Sequence, residues 1–197
     1  IDDNIAIGKD SFIGADLSSA STAVYRNIAI GTNTLNSTGS NAQTGTIAIG
    51  YDALTALTSG DGNTAIGYQS QDANTTSGKN TSVGYSSLGA VSTGGASTGN
   101  TAVGYNAGLG ITTGLYNTCI GWQAGDTSNA TGNTYVGQAA GSEGTGNYCV
   151  FVGMSAGDLG VNTTAGTIGI GYQSLQDLTS GDGNIAIGYQ SGKAATD

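Results

Sequence analysis

Proline and histidine are absent from this 197-residue chain, cysteine occurs twice, and Lys and Arg together number four. Each shortage excludes a chemistry. Without His there can be no Ser-His-Asp triad, no Cys-His pair and no histidine-ligated zinc within the chain. The four cations, Lys9, Arg26, Lys79 and Lys193, lie far apart in sequence against 13 acids, and the net charge is −9. That is the wrong sign for a nucleic-acid backbone and for an anionic membrane surface. No apolar run approaches the ~20 residues of a transmembrane helix, so membrane insertion is not expected. There is no Cys-x-x-Cys and no Gly-Gly-x-Gly-x-Asp calcium repeat, so neither a metal nor a cofactor is expected. Glutamate occurs once, at Glu143, and the acids sit singly in polar stretches, which leaves little for carboxylate-pair catalysis. The expectation is a protein that is not an enzyme.

Large aliphatics are scarce too: Ile, Val, Leu and Phe number 35, fewer than the 36 glycines. A composition rule would place such a chain near disorder or low complexity. The lack of Pro and the 9% charge argue the other way, because disordered chains are usually rich in both. The placement of the apolar residues settles the matter in favour of order.

What is present is one phrase, said repeatedly. It reads "NTAIGYQS" at 63–70, "NTAVGYNA" at 100–107 and "NIAIGYQS" at 184–191. Numbering the glycine of the phrase as position 0, the copies fall at Gly8, Gly31, Gly50, Gly67, Gly84, Gly104, Gly121, Gly137, Gly153, Gly171 and Gly188, a mean spacing of 18. A near-fixed period over eleven copies signals a solenoid, here one repeat domain over 1–197. The chain opens abruptly at Ile1 and reads as a segment of something longer.

Position −1 is Ile or Val in every copy, −2 is usually Ala, −3 is Ile, Val or Thr, −4 is usually Asn, and +3 is always small. The β-branched stretch is too short for a helix and is bounded by Asn and Gly, so it predicts a strand. Alternation puts −3, −1 and +1 on one roomy face and the small residues on a tight one, both expected to be buried. The period suits a coil of two short strands and two turns, with signals such as Asp61-Gly62 and Asp182-Gly183. At ~4.8 Å per coil the stack would be roughly 50 Å long. The fold expected is all-β, a parallel β-solenoid of about eleven coils. Two buried aliphatic side chains per coil, at ~1.5–3 kcal/mol each, barely offset the ordering of some 17 residues. The Ile-Ile-aromatic face therefore calls for a partner, most simply another copy of the chain.

Three ladders and two thiols are candidate sites. Aromatics follow the glycine at Tyr51, Tyr68, Tyr85, Tyr105, Trp122, Tyr172 and Tyr189. They could stack on sugar rings, but stacking on one another or at a chain interface is the stronger reading. A threonine ladder at −3 (Thr64, Thr81, Thr101, Thr118, Thr134) suggests an ice-binding array; Ile at the same position in other coils instead predicts an inward-facing row. The asparagines at −4 predict amides bonded along the stack. Cys119 and Cys149 lie two coils apart at −2 and −4, so roughly 10 Å separates them. That is too far for a disulfide, and two free, buried thiols are expected.

The phrases "NIAIGKDS" (4–11), "NIAIGTNT" (27–34), "NTAIGYQS" and "NIAIGYQS" resemble the head repeat of YadA-like trimeric autotransporter adhesins. "GNTAVGYNAG" at 99–108 is similar to repeats of bacteriophage tail fibres. The resemblance runs over essentially the whole chain. It implies left-handed parallel β-rolls, three chains about a threefold axis, and a place outside the cell or on a virion surface. It also implies attachment to a host-cell glycan or envelope protein. Coils near 17 residues and the aromatic after the glycine set the chain closer to the fibre form. The expectation is a rigid homotrimeric fibre or adhesin segment, with a single-chain solenoid stacking end to end into an extracellular filament as the alternative.

Overall fold

A computed structural model describes residues 3–13, 24–38, 43–92, 98–144, 146–158 and 165–193. The phrase forms a three-residue strand wherever it occurs. Labelled in chain order, β1 (Ile5–Ile7), β3 (Ile28–Ile30), β5 (Ile47–Ile49), β6 (Thr64–Ile66), β7 (Thr81–Val83), β8 (Thr101–Val103), β9 (Thr118–Ile120), β10 (Thr134–Val136), β11 (Val150–Val152), β12 (Ile168–Ile170) and β13 (Ile185–Ile187) pair in that order. Together they make one parallel, eleven-stranded sheet. Register follows the phrase without a slip: Ala48 pairs with Ala65, Ala102 with Cys119, Tyr135 with Phe151. The fold is a parallel β-solenoid.

Each coil has one strand where two were expected. The only second ladder among the described residues joins β2 (Val24–Tyr25) to β4 (Gln43–Thr44). The reason lies in the backbone after the glycine. Positions +2 and +4 are left-handed in all eleven coils, as at Gln69 and Gln71 (φ 51° and 52°) or Asp52 and Leu54 (φ 55° and 51°). Such residues turn corners and cannot extend. The corners are nonetheless laddered between coils: Gln69 N–H donates to Tyr51 O (2.9 Å) and Leu54 N–H to Ser70 O (3.0 Å).

The tight face is the interior. Ala29, Ala48, Ala65, Ala102 and Cys119 at −2 are completely buried. The coil is about one side chain thick, so it takes a small residue at −2 and fills the remaining space from +4 with Leu35, Leu54, Leu88 or Leu175. Two coils reverse the arrangement. Tyr135 and Phe151 enter at −2, and +4 becomes Gly141 and Gly157; a Cβ there would sit 2.4 Å and 2.7 Å from those rings. Size is exchanged between the two positions in these coils, as close packing requires; where both are small, as at Ala102 with Gly108, Cys119 with Gly125 and Ala186 with Gly192, Leu88, Tyr135 and Leu175 of a neighbouring coil reach the space.

The interior also holds a polar layer. Ser70, Gln71, Asn74, Ser77, Ser82 and Ser87 are fully buried and lie between two apolar clusters, one around Leu35 and Leu54, the other running from Leu88 to Ala186. Gln71 Nε2 donates to Ser82 Oγ (2.9 Å) and Thr64 O (3.1 Å), and Asn74 Nδ2 to Gln71 Oε1 (3.0 Å). A satisfied buried network fixes one arrangement where an apolar filling would tolerate several.

The roomy face is open in the single chain. Side chains at −1 are only partly covered: Val83, Val103, Ile120 and Ile170 keep 36–39% of their surface exposed. The sequence expectation that both faces are buried therefore holds for the interior face alone.

Candidate functional site

The outward face carries most of the predicted site residues. Tyr51, Tyr68, Tyr85, Tyr105 and Trp122 form one continuous stack, with successive ring centroids 5.3, 4.9, 5.2 and 6.2 Å apart and planes within 17°. Gln138 and Met154 interrupt it, and Tyr172 and Tyr189 resume it at 5.2 Å. Near-parallel rings at this spacing occupy one another's faces, leaving only edges to water. The rings of the first stack are 42–49% exposed, yet an internal ring offers no free face to a sugar. The interior of the ladder is thus rung-on-rung packing, the stronger of the two sequence readings. The Tyr68 phenol is held above its ordinary value by desolvation in the stack, then by its neighbours Tyr85 and Tyr51.

The threonine ladder requires a correction. Thr64, Thr101, Thr118 and Thr134 are partly exposed and Thr81 is exposed, with the −2 residue between −3 and −1 buried in each strand. Position −3 shares the outward face with −1 because alternation leaves the interior only −2. Ile at −3 elsewhere reflects that same apolar outward face.

Asparagines at −4 do bond along the stack, but through the backbone. The N–H groups of Thr46, Asn100, Asn117, Asn133 and Cys149 donate to Oδ1 of Asn27, Asn80, Asn100, Asn117 and Asn133 at 2.7–3.0 Å. The Nδ2 groups of Asn80 and Asn133 are buried without a partner among the described residues, whereas those of Asn27, Asn100 and Asn117 also reach a carbonyl of the next coil, Gln43 O (3.0 Å), Gly114 O (2.9 Å) and Ala130 O (2.7 Å). One side chain thus fixes both ends of the neighbouring turn, which is a structural duty.

Cys119 and Cys149 form no disulfide and are buried, as expected. Burial pushes the Cys119 thiol up to about 12 and raises Cys149. Thiolate is the reactive form. Neither thiol is therefore expected to react with a disulfide reagent at pH 8 in the native state, and both should react at once in guanidinium; rapid titration of folded protein would contradict the burial.

Two acids have shifted carboxyls. Burial raises Asp72 and Asp126 above the usual carboxylate range, with Asp158 and then Glu143 adding to the shift at Asp126. Among the described residues no three of His, Cys, Asp and Glu are placed to hold a metal ion. A recess near the start of the stack is lined by Asp3, Tyr25, Arg26 and Thr44. No protein family, curated protein or solved structure matches this chain.

The raised carboxyls have a consequence for pH. Such a group binds more protons folded than unfolded between the ordinary value and the raised one, so stability falls as pH rises through that window and is regained as pH falls. Among the described residues the one ion pair, Lys9 to Asp10 at 3.7 Å, is exposed, so loss of ion pairing in acid costs little. The melting temperature should hold or rise between pH 7 and pH 4. A steep loss over that range would show carboxylates stabilised in the folded state.

Proposed function

We propose that the chain is a structural attachment protein: a rigid segment of an extracellular or virion-surface fibre, built from three copies packed through their outward sheet faces. The observation that carries the reading is the open apolar face. Ile, Val or Thr at −3, Ile or Val at −1 and an aromatic at +1 recur along the stack. They make a stripe about 50 Å long and about 13 Å wide at strand geometry. That is roughly 600 Å², the upper end of what a monomer leaves exposed and close to what one partner contributes to a stable interface. A copy of the chain repeats every rung at the same rise, so it is the partner that fits without adjustment.

On this reading the function is mechanical. A register-locked sheet supplies stiffness, and parallel copies present the same corners several times over, so weak contacts with a cell-surface glycan or envelope protein gain by avidity. No catalytic step is involved. The double variant Val103→Lys/Ile120→Lys places two desolvated charges in each copy of the interface. It should sediment as a monomer with an unchanged β-sheet spectrum and lose attachment to target cells along with assembly. Attachment that survives undiminished in a monomer would remove avidity from the account.

A further inference from the structure

Because the aromatic ladder uses up its own ring faces, a saccharide would have to stack elsewhere, and two tyrosines outside that ladder are placed for it. Position −5 is left-handed in all eleven coils, with φ between 58° and 74°. Glycine fills six of these positions, and the chain could use it at every one. Tyr116 and Tyr148 adopt the same conformation at φ 58° and 60°, where a bulky side chain is strained. They are also 65% and 67% exposed, so burial does not explain the choice. Each ring covers only a glycine of the preceding coil, a small packing return for the strain, and such strain is a place to look for function.

The surroundings of the rings fit a ligand. Each ring rests on the glycine of the preceding coil: a Cβ on Gly132 would lie 2.7 Å from Tyr148 Cδ1, and one on Gly99 would lie 3.0 Å from Tyr116 Cδ1. Glycine backbone thus backs one side of each ring. Beyond Tyr148 the next two rungs are Gly166 and Gly183, where an added Cβ would meet nothing within 4 Å. Among the described residues the result is an aromatic shelf with two rungs beyond it that carry no side chain, about 10 Å of edge at ~4.8 Å per coil. Tyr116 stands two coils earlier, about 10 Å away at ~4.8 Å per coil, and the rung between the two tyrosines, Gly132, is the one the Tyr148 ring covers. Position −5 precedes the strand, at the opposite end from the +1 ladder.

The geometry points to a binding edge for a neutral hexose or N-acetylhexosamine oligosaccharide, with Tyr148 and Tyr116 stacking on the apolar C–H faces of its rings. A net charge of −9 disfavours sulfated or sialylated chains. The inference deepens the attachment reading and rests on it. Asn147 Oδ1, one residue before Tyr148, is engaged by Thr131 N–H (2.8 Å), so the corner that holds the ring is fixed before a ligand arrives.

The test compares the wild-type assembly with Tyr148→Gly, Tyr116→Gly/Tyr148→Gly and Tyr148→Phe on a printed panel of neutral hexose and N-acetylhexosamine oligosaccharides. Glycine is the residue of most other coils here, so the glycine variants should melt no lower than wild type. Wild type is expected to bind at least one oligosaccharide, Tyr148→Gly to bind it about tenfold more weakly, the double variant not at all, and Tyr148→Phe nearly as well as wild type. Undiminished binding by the double variant overturns the inference while leaving attachment intact. So does wild type that adheres to target cells but to nothing on the panel. Failure to bind either cells or panel overturns the inference and the attachment reading together.

Discussion

Gly67→Ala should cost more than about 4 kcal/mol or prevent folding, whereas Gly188→Ala should cost about 1–3 kcal/mol. Both glycines hold a backbone angle that a side chain strains, φ 138° and 131°. They differ in what a methyl would meet. At Gly67 a Cβ would stand 2.2 Å from the carbonyl oxygen of Gly84 in the next coil, and the same approach recurs from Gly8 to Gly171 at 2.2–2.6 Å. The atom it strikes is backbone held in a sheet, so relief requires parting two coils. At Gly188 the nearest atom is Ser191 Cβ at 3.9 Å, so only the strain remains. In a solenoid each coil is stabilised chiefly by its neighbours, and parting an interior pair breaks the interface that joins the two parts of the stack. Chemical denaturation of the two variants side by side measures the difference; equal losses would mean that contact between coils at this glycine does not limit the stack.

A second large effect is expected in the interior, where the exchange of size between −2 and +4 can be reversed by design. Phe151→Ala should lose about 3–5 kcal/mol by emptying its rung of the interior. Gly157→Leu should lose about 1–3 kcal/mol or more, because a Cβ at 157 would lie 2.7 Å from the Phe151 ring. The double variant recreates the pairing of Ala48 with Leu54, in which Leu is left-handed at φ 51° and completely buried. It should recover on the order of 2 kcal/mol relative to the sum of the single losses. Additive losses would show that the two positions do not share one space.

The strand, its register and its period are all written in the phrase, because a parallel stack aligns identical positions and the repeat leaves no other alignment for the small residues at −2. The interior was harder to read. Ile at −1 and Ala at −2 are both apolar, and only the thinness of the coil decides that Ala48 faces inward and Ile49 outward. The single strand per coil was hidden because its cause is left-handed Leu54, Leu88 and Leu175 at +4, residue types that rarely signal a corner. The exchange at Tyr135 and Phe151 leaves only a partial trace: +4 is Gly in both coils, but it is also Gly at Gly108, Gly125 and Gly192, where −2 stays small. Asn27 and Asn117 were readable as a ladder, but not the detail that each Oδ1 takes a backbone N–H of the next coil. On the outward face the +1 aromatics were legible as a row. Tyr116 and Tyr148 were not, since only backbone angle and exposure separate them from ordinary loop residues.

The most direct measurement of the central claim, that the open face packs against other copies, is the mass of the chain in solution by light scattering on a sizing column. The account predicts a single species at three times the 19.2 kDa chain mass, unchanged on dilution. A monodisperse species of 19.2 kDa would contradict it, because the stripe of Ile, Val and Tyr would then face water with no partner.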